Sequence, residues 1–190
     1  MTLVLASSSA QRRAILERLG VAFVVRPCDV EELEQGDPPA VALANALSKA
    51  TAIPPAPGEV VLGVDTIVAL DGVIYGKPQN AAQAAATLRS LSGRTHSVIS
   101  GVALARAGAE PQTLIESTAV SFRTLDERLI SWHVGTGEWQ GRSGGYAIQQ
   151  AGSALVRRIE GDYTNVVGLP VGALLDRWPE LLSWPRAGPS

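Results

Sequence analysis

The chain has 190 residues, 46% of them hydrophobic, with 16 Lys and Arg against 18 Asp and Glu, for a formal net charge of −2. That balance fits a soluble globular protein with a substantial core and excludes a global field pulling it onto nucleic acid or an anionic membrane. One cysteine, Cys28, excludes an internal disulfide, and with only two histidines (His96, His133) a zinc site is not expected. No apolar run is long enough to span a bilayer. The N-terminus lacks the basic-then-apolar design of a signal peptide, so a cytoplasmic protein is expected.

The chain opens Leu3-Val-Leu-Ala-Ser-Ser-Ser-Ala-Gln-Arg12-Arg13. A β-like run leads through three serines into a helix over 10–19, with Ile15, Leu16 and Leu19 on one face and Gly20 as its stop. A helix N-terminus attracts anions and disfavours cations. Arg12 and Arg13 therefore either meet an anion such as a polyphosphate or point into solvent.

Val21–Val25 is β-like, and an acidic loop with Glu31 and Glu32 follows. These carboxylates suit a Mg²⁺ shell completed by phosphate oxygens and water, or simply a solvated loop. A helix is expected over 40–50, ending near Lys49, whose charge also suits the dipole of that helix end. The strongest strand runs from Val60 to Leu70 and carries Asp65. A charge in so apolar a strand is costly unless paired or metal-bound, and burial raises a carboxyl pKa. Asp65 is thus a general base or a structural hydrogen-bond acceptor.

Asp71-Gly72 supplies hairpin chemistry before Val73–Tyr75 returns. Lys77, between Gly76 and Pro78, suits a fixed charge facing a phosphate. Asn80 caps a helix through Leu91, strands follow over 95–106 and 113–123, and Asp126 caps a helix to about Val134. After a glycine-rich loop over 135–145, Gly144-Gly-Tyr-Ala-Ile-Gln149 brings a close-approach backbone, an aromatic ring and an amide together. That set can read a base, or is an ordinary loop entering a strand. A strand over 154–160, a loop and a helix from Pro170 complete the chain. His96 and His133 are expected to do structural or surface work. Residues 1–183 are expected as one α/β domain and 184–190 as a tail. No Walker P-loop or G-x-G-x-x-G occurs, which argues against an ordinary ATPase or dinucleotide enzyme.

Taken jointly, several stretches from Leu3 to Leu175 resemble the Maf family of nucleoside triphosphate pyrophosphatases. They are Leu5-Ala-Ser-Ser-Ser with Arg12-Arg13, Glu32, Leu47-Ser-Lys49-Ala, Gly63-Val-Asp65-Thr66, Gly76-Lys77-Pro78, Leu91-Ser-Gly-Arg-Thr-His96, Gly144–Gln149 and Gly161–Pro170. The resemblance implies a mixed α/β fold, with an elongated mixed sheet flanked by helices and a cleft between two lobes. It also implies a homodimer and α–β phosphate hydrolysis with Mg²⁺, Mn²⁺ or Co²⁺. By the same resemblance Asp65 is the general base. Ser7, Ser9, Arg12, Arg13, Lys49 and Lys77 face the phosphates, and Glu32 with Asp65 holds the metal.

By the same resemblance, base preference is expected to fall on Gln11, Thr66 and Gln149. The dTTP/UTP branch carries Arg, Thr and Gln there, and the 7-methyl-GTP branch Trp, Gln and Glu. Gln11 matches neither branch, and Gly141-Arg-Ser143 departs from the usual Asp-Lys-Ala. A nucleoside triphosphate is the expected partner, with no nucleic acid and no membrane. A nucleotide-binding regulator without hydrolysis is the rival reading.

Overall fold

The computed structural model describes residues 1–183; the expected tail over 184–190 lies outside the described residues. Seven strands form one mixed sheet in the order β2-β1-β3-β5-β6-β7, with β4 pairing β3. The strands are β1 (Thr2–Leu5), β2 (Phe23–Val25), β3 (Glu59–Leu70), β4 (Val73–Tyr75), β5 (Thr95–Arg106), β6 (Gln112–Phe122) and β7 (Val156–Glu160). The helices are α1 (Ala10–Arg18), α2 (Pro38–Thr51), α3 (Ala81–Leu91), α4 (Glu127–Thr136), α5 (Tyr163–Val167) and α6 (Val171–Arg177). No helix among the described residues is long and apolar enough to cross a membrane.

Strand β1 runs parallel to β2 and β3, while β3, β5, β6 and β7 pair antiparallel in turn. Alternation along β3 sorts its side chains onto two faces. Val60, Leu62 and Val64 enter one apolar cluster with Leu3, Leu5, Ile15 and Leu16, and Val68 and Leu70 enter a second with Leu88, Leu91 and Phe122. Thr66 lies between these clusters. On the opposite face Val61, Ile67 and Ala69 pack towards α2.

Helix α2 sits unusually close to the sheet because two strand residues lack side chains. A Cβ on Gly63 would lie 2.2 Å from the Ala46 carbonyl oxygen, and one on Gly101 would lie 2.3 Å from that of Ala42. Ala42, Ala46 and Ala50 supply the matching small face. This close seat brings the polar residues of α2 to β3.

Several elements begin as their sequence predicts. Asn80 caps α3 and Asp126 caps α4 through their side chains. Two differ: α5 occupies a stretch expected to be loop, and α6 begins at Val171, with Pro170 outside it as the cap residue.

Candidate active site

The cleft follows from an interruption in the sheet. The β1 pairing reaches Leu62 of β3, and the β4 pairing resumes at Val68. Gly63 to Ile67 therefore present one strand edge without a strand partner among the described residues. Around this gap lies a cavity of about 920 Å³ whose lining includes Ser7, Ser9, Gln11, Arg12, Glu32, Lys49, Asp65, Thr66, Lys77 and Gln149. The chain leaves β1 there and enters α1, so a helix N-terminus and the C-terminal end of a parallel strand converge on it.

Ser9 is the N-cap of α1, its side chain accepting from the Arg12 backbone N–H. The half-buried Arg12 guanidinium donates to Ser7 Oγ at 3.0 Å, to Thr66 Oγ1 at 3.3 Å and to the Gly168 carbonyl at 2.9 Å. Burial draws the Arg12 pKa below its ordinary value, and the charges of Asp65 and Glu32 oppose that shift. Arg13 goes elsewhere: it is exposed, pairs with Glu17 at 2.7 Å, and does not line the cleft.

Asn45 and Lys49 lie one turn apart on α2 and reach the same carboxylate. Lys49 Nζ stands 2.7 Å from Asp65 Oδ1, and Asn45 Nδ2 donates to Asp65 Oδ2 at 3.0 Å. Lys49 Nζ also stands 2.7 Å from Glu32 Oε1, and Lys77 Nζ is 3.7 Å from Glu32 Oε2. Asn45 further clamps the acidic loop, accepting from the Leu33 N–H at 2.8 Å and donating to its carbonyl at 3.0 Å.

The expectation that burial leaves Asp65 with a raised pKa is corrected by these partners. Burial does push the carboxyl up, but the charge and hydrogen bond of Lys49, the Asn45 hydrogen bond and the charge of Arg12 outweigh it. The pKa lies below the ordinary aspartate value. Asp65 is thus ionised near neutral pH and able to accept a proton.

Glu32 and Asp65 already converge on one cation, the Lys49 ammonium. No cluster of three or more His, Cys, Asp or Glu exists among the described residues. Two carboxylates still fit Mg²⁺, which commonly takes one or two and fills its shell with phosphate oxygens and water. Glu31 is exposed and does not line this cavity.

The glycine-rich loop closes the other side. Ser143 Oγ donates to the Thr66 carbonyl at 3.3 Å, and the Gly144 N–H to the Gly76 carbonyl at 3.2 Å. A Cβ on Gly144 would come within 2.9 Å of Val68 Cγ2, so only glycine lets the loop approach so closely. Gln149 is exposed and lines the cavity. The Gln11 amide oxygen accepts from Ser9 Oγ at 3.2 Å. The Thr66 hydroxyl is engaged inside the protein, 2.8 Å from Ser100 Oγ and 3.3 Å from Arg12.

Sequence reasoning missed Asn45 and Ser100, and marked Ser143 only as part of a departure from the family pattern. Asn45 left a signal: a polar residue four before Lys49 on an alanine-rich helix. The others depend on strand register and loop path, which no local pattern encodes.

A family model described as Maf-like protein matches residues 2–179. The dTTP/UTP pyrophosphatase of Anaeromyxobacter dehalogenans is 44% identical over 191 residues, covering 96% of each chain. The protein of that name from Symbiobacterium thermophilum is 46% identical over 172 residues, covering 89% of this chain and 88% of its own. That from Pyrococcus furiosus is 42% identical, covering 89% and 90%. Among solved structures, a HAM1 protein from Coxiella burnetii aligns with a TM-score of 0.48 at 19% identity, over 64% of this chain and 73% of that one.

Proposed function

Because this chain belongs to the Maf-like protein family, we propose that it is a nucleoside triphosphate pyrophosphatase acting on dTTP and UTP, yielding the monophosphate and pyrophosphate. The observation that carries the reading is the floor of the cleft. There an ionised, buried Asp65 lies within the open stretch of β3, bonded to Lys49 and Asn45 and near Arg12.

Arg12, Lys77 and the α1 N-terminus with Ser7 and Ser9 bind the phosphate chain, offsetting its charge. Lys49 and Asn45 hold the Asp65 carboxylate in place. Asp65 takes a proton from a water molecule as the water oxygen bonds to the α phosphorus. The bond from that phosphorus to the bridging oxygen breaks, and its electron pair leaves with pyrophosphate. Glu32 and Asp65 would hold a divalent ion, which supplies charge neutralisation on the phosphates.

Gln149 and Gln11 face the base as amides, while Thr66 acts indirectly by fixing Arg12. Exposed Arg13 has no part in binding the substrate. Resemblance to the family supports a homodimer in the cytoplasm, whose assembly sedimentation equilibrium would check.

The test is pyrophosphate release with Mg²⁺ across dTTP, UTP, CTP and 7-methyl-GTP. Turnover of dTTP or UTP is expected. Turnover of 7-methyl-GTP alone reassigns the base pocket. Nucleotide binding without any release makes the protein a nucleotide-binding regulator instead.

A further inference from the structure

Both histidines of the chain are buried, and both reach one loop. His133, on α4, places Nε2 2.9 Å from the Gly145 carbonyl, and His96, on β5, places Nε2 2.8 Å from the Tyr146 hydroxyl. A carbonyl only accepts, so His133 carries a proton on Nε2. In both rings Nδ1 is buried without a hydrogen-bond partner among the described residues. Each ring therefore directs its satisfied hydrogen-bonding atom at the loop and leaves the other bare, a costly arrangement that calls for a reason.

The loop is of a kind that needs holding. Gly144 and Gly145 both adopt φ +71, so two successive residues sit in the left-handed region. Beyond them Tyr146 packs edge-on against Phe122, with centroids 4.9 Å apart, and Phe122 against His96 at 4.8 Å. The chain then runs through Ala147 and Ile148 to Gln149, all lining the cleft, whereas neither histidine lines it. The charged floor hangs on α1, α2 and β3, through Arg12, Lys49 and Asp65, and none of its hydrogen bonds involves a histidine.

We propose that His96 and His133 are positioning residues for nucleotide selection: they clamp consecutive residues of the loop and so fix where Gln149 meets the base. This rests on the functional reading above. It separates two duties of the cleft, with base choice hanging on the histidines and phosphate chemistry on the charged floor.

The test compares the wild type with His133→Leu, which removes the donor, His133→Gln, whose amide can still donate, and Tyr146→Phe, which removes only the hydroxyl. Kinetics on dTTP and CTP are measured with hydrogen exchange at Ala147–Gln149. In His133→Leu and Tyr146→Phe the kcat/KM ratio of dTTP over CTP should fall by about 10-fold, the scale of one lost hydrogen bond. The fall should come through KM, with kcat within about threefold of wild type, and loop exchange should quicken. His133→Gln should restore the ratio. An unchanged ratio in a folded variant overturns the proposal, as does an equal loss of kcat on both nucleotides. A wild type inactive on every pyrimidine triphosphate sinks the functional reading and the selection role with it. Unchanged exchange, by contrast, sinks the clamp alone, so the two failures are distinguishable.

Discussion

The Lys49 ammonium stands 2.7 Å from Asp65 Oδ1, and both side chains are nearly buried, at 10% and 9% exposure. A pair so shielded attracts more strongly than a surface bridge but also costs more to desolvate, and breaking it leaves an uncompensated buried charge. Lys49 reaches Asp65 only because Gly63 and Gly101 let α2 lie flat against the strands.

Asp65→Asn keeps the shape and removes the proton acceptor. Turnover should fall at least ~100-fold with nucleotide binding retained. Steady-state kinetics with calorimetric binding would check this, and near-normal turnover would remove Asp65 from its role.

Lys49→Met should move the acid limb of the kcat/KM profile to higher pH. Lys49 is among the groups holding the Asp65 pKa down, so its loss lets burial push the carboxyl up. A limb that stays put or moves to lower pH contradicts the pairing.

Arg12 and Arg13 should differ sharply although they are adjacent. Arg12→Ala loses three hydrogen bonds at the cleft and should weaken dTTP turnover by about 100-fold or more. Arg13→Ala breaks only an exposed i,i+4 pair and should change turnover by less than about twofold. Similar losses in the two variants would show that Arg13 reaches the substrate.

Gly63→Ala should destabilise the protein by about 3 kcal/mol or more, because its Cβ would meet the Ala46 carbonyl and push α2 off the sheet. Urea unfolding measures the loss. Activity should fall further than stability predicts, since Lys49 and Asn45 ride on α2.

His96 makes stability depend on pH. Burial lowers its pKa from 6.5 to about 4. Between those values the unfolded chain binds a proton that the folded one does not. The contribution is therefore present above pH 6.5 and lost as pH falls towards 4, at most about 3 kcal/mol. Thermal unfolding from pH 4 to 7 should show this slope in the wild type and a shallower one in His96→Phe.

Much of this molecule was legible along the chain. Caps at Asn80 and Asp126, the apolar run of β3 and the Asp71-Gly72 turn are local signals, each decided by residues a few places apart. Helix α5 was not legible, because five residues are too few for a helical period to register. Asp65 stood out as a charge in an apolar strand, but its protonation did not. Isolated burial predicts a raised pKa, and the lowered one comes from Lys49, Asn45 and Arg12, which lie 16, 20 and 53 positions away.

By itself the sequence determined which residues alternate on each strand face, where helices start, and that cations and carboxylates were present in a chain of near-neutral charge. The tertiary structure alone decided which of them meet. The break between β1 and β4 opens the β3 edge, and the seat of α2 brings Lys49 to Asp65. The pitch of α1 sends Arg12 inward and Arg13 out to Glu17. Charge pairing and burial depend on distances through space, and those are set by how strands and helices pack.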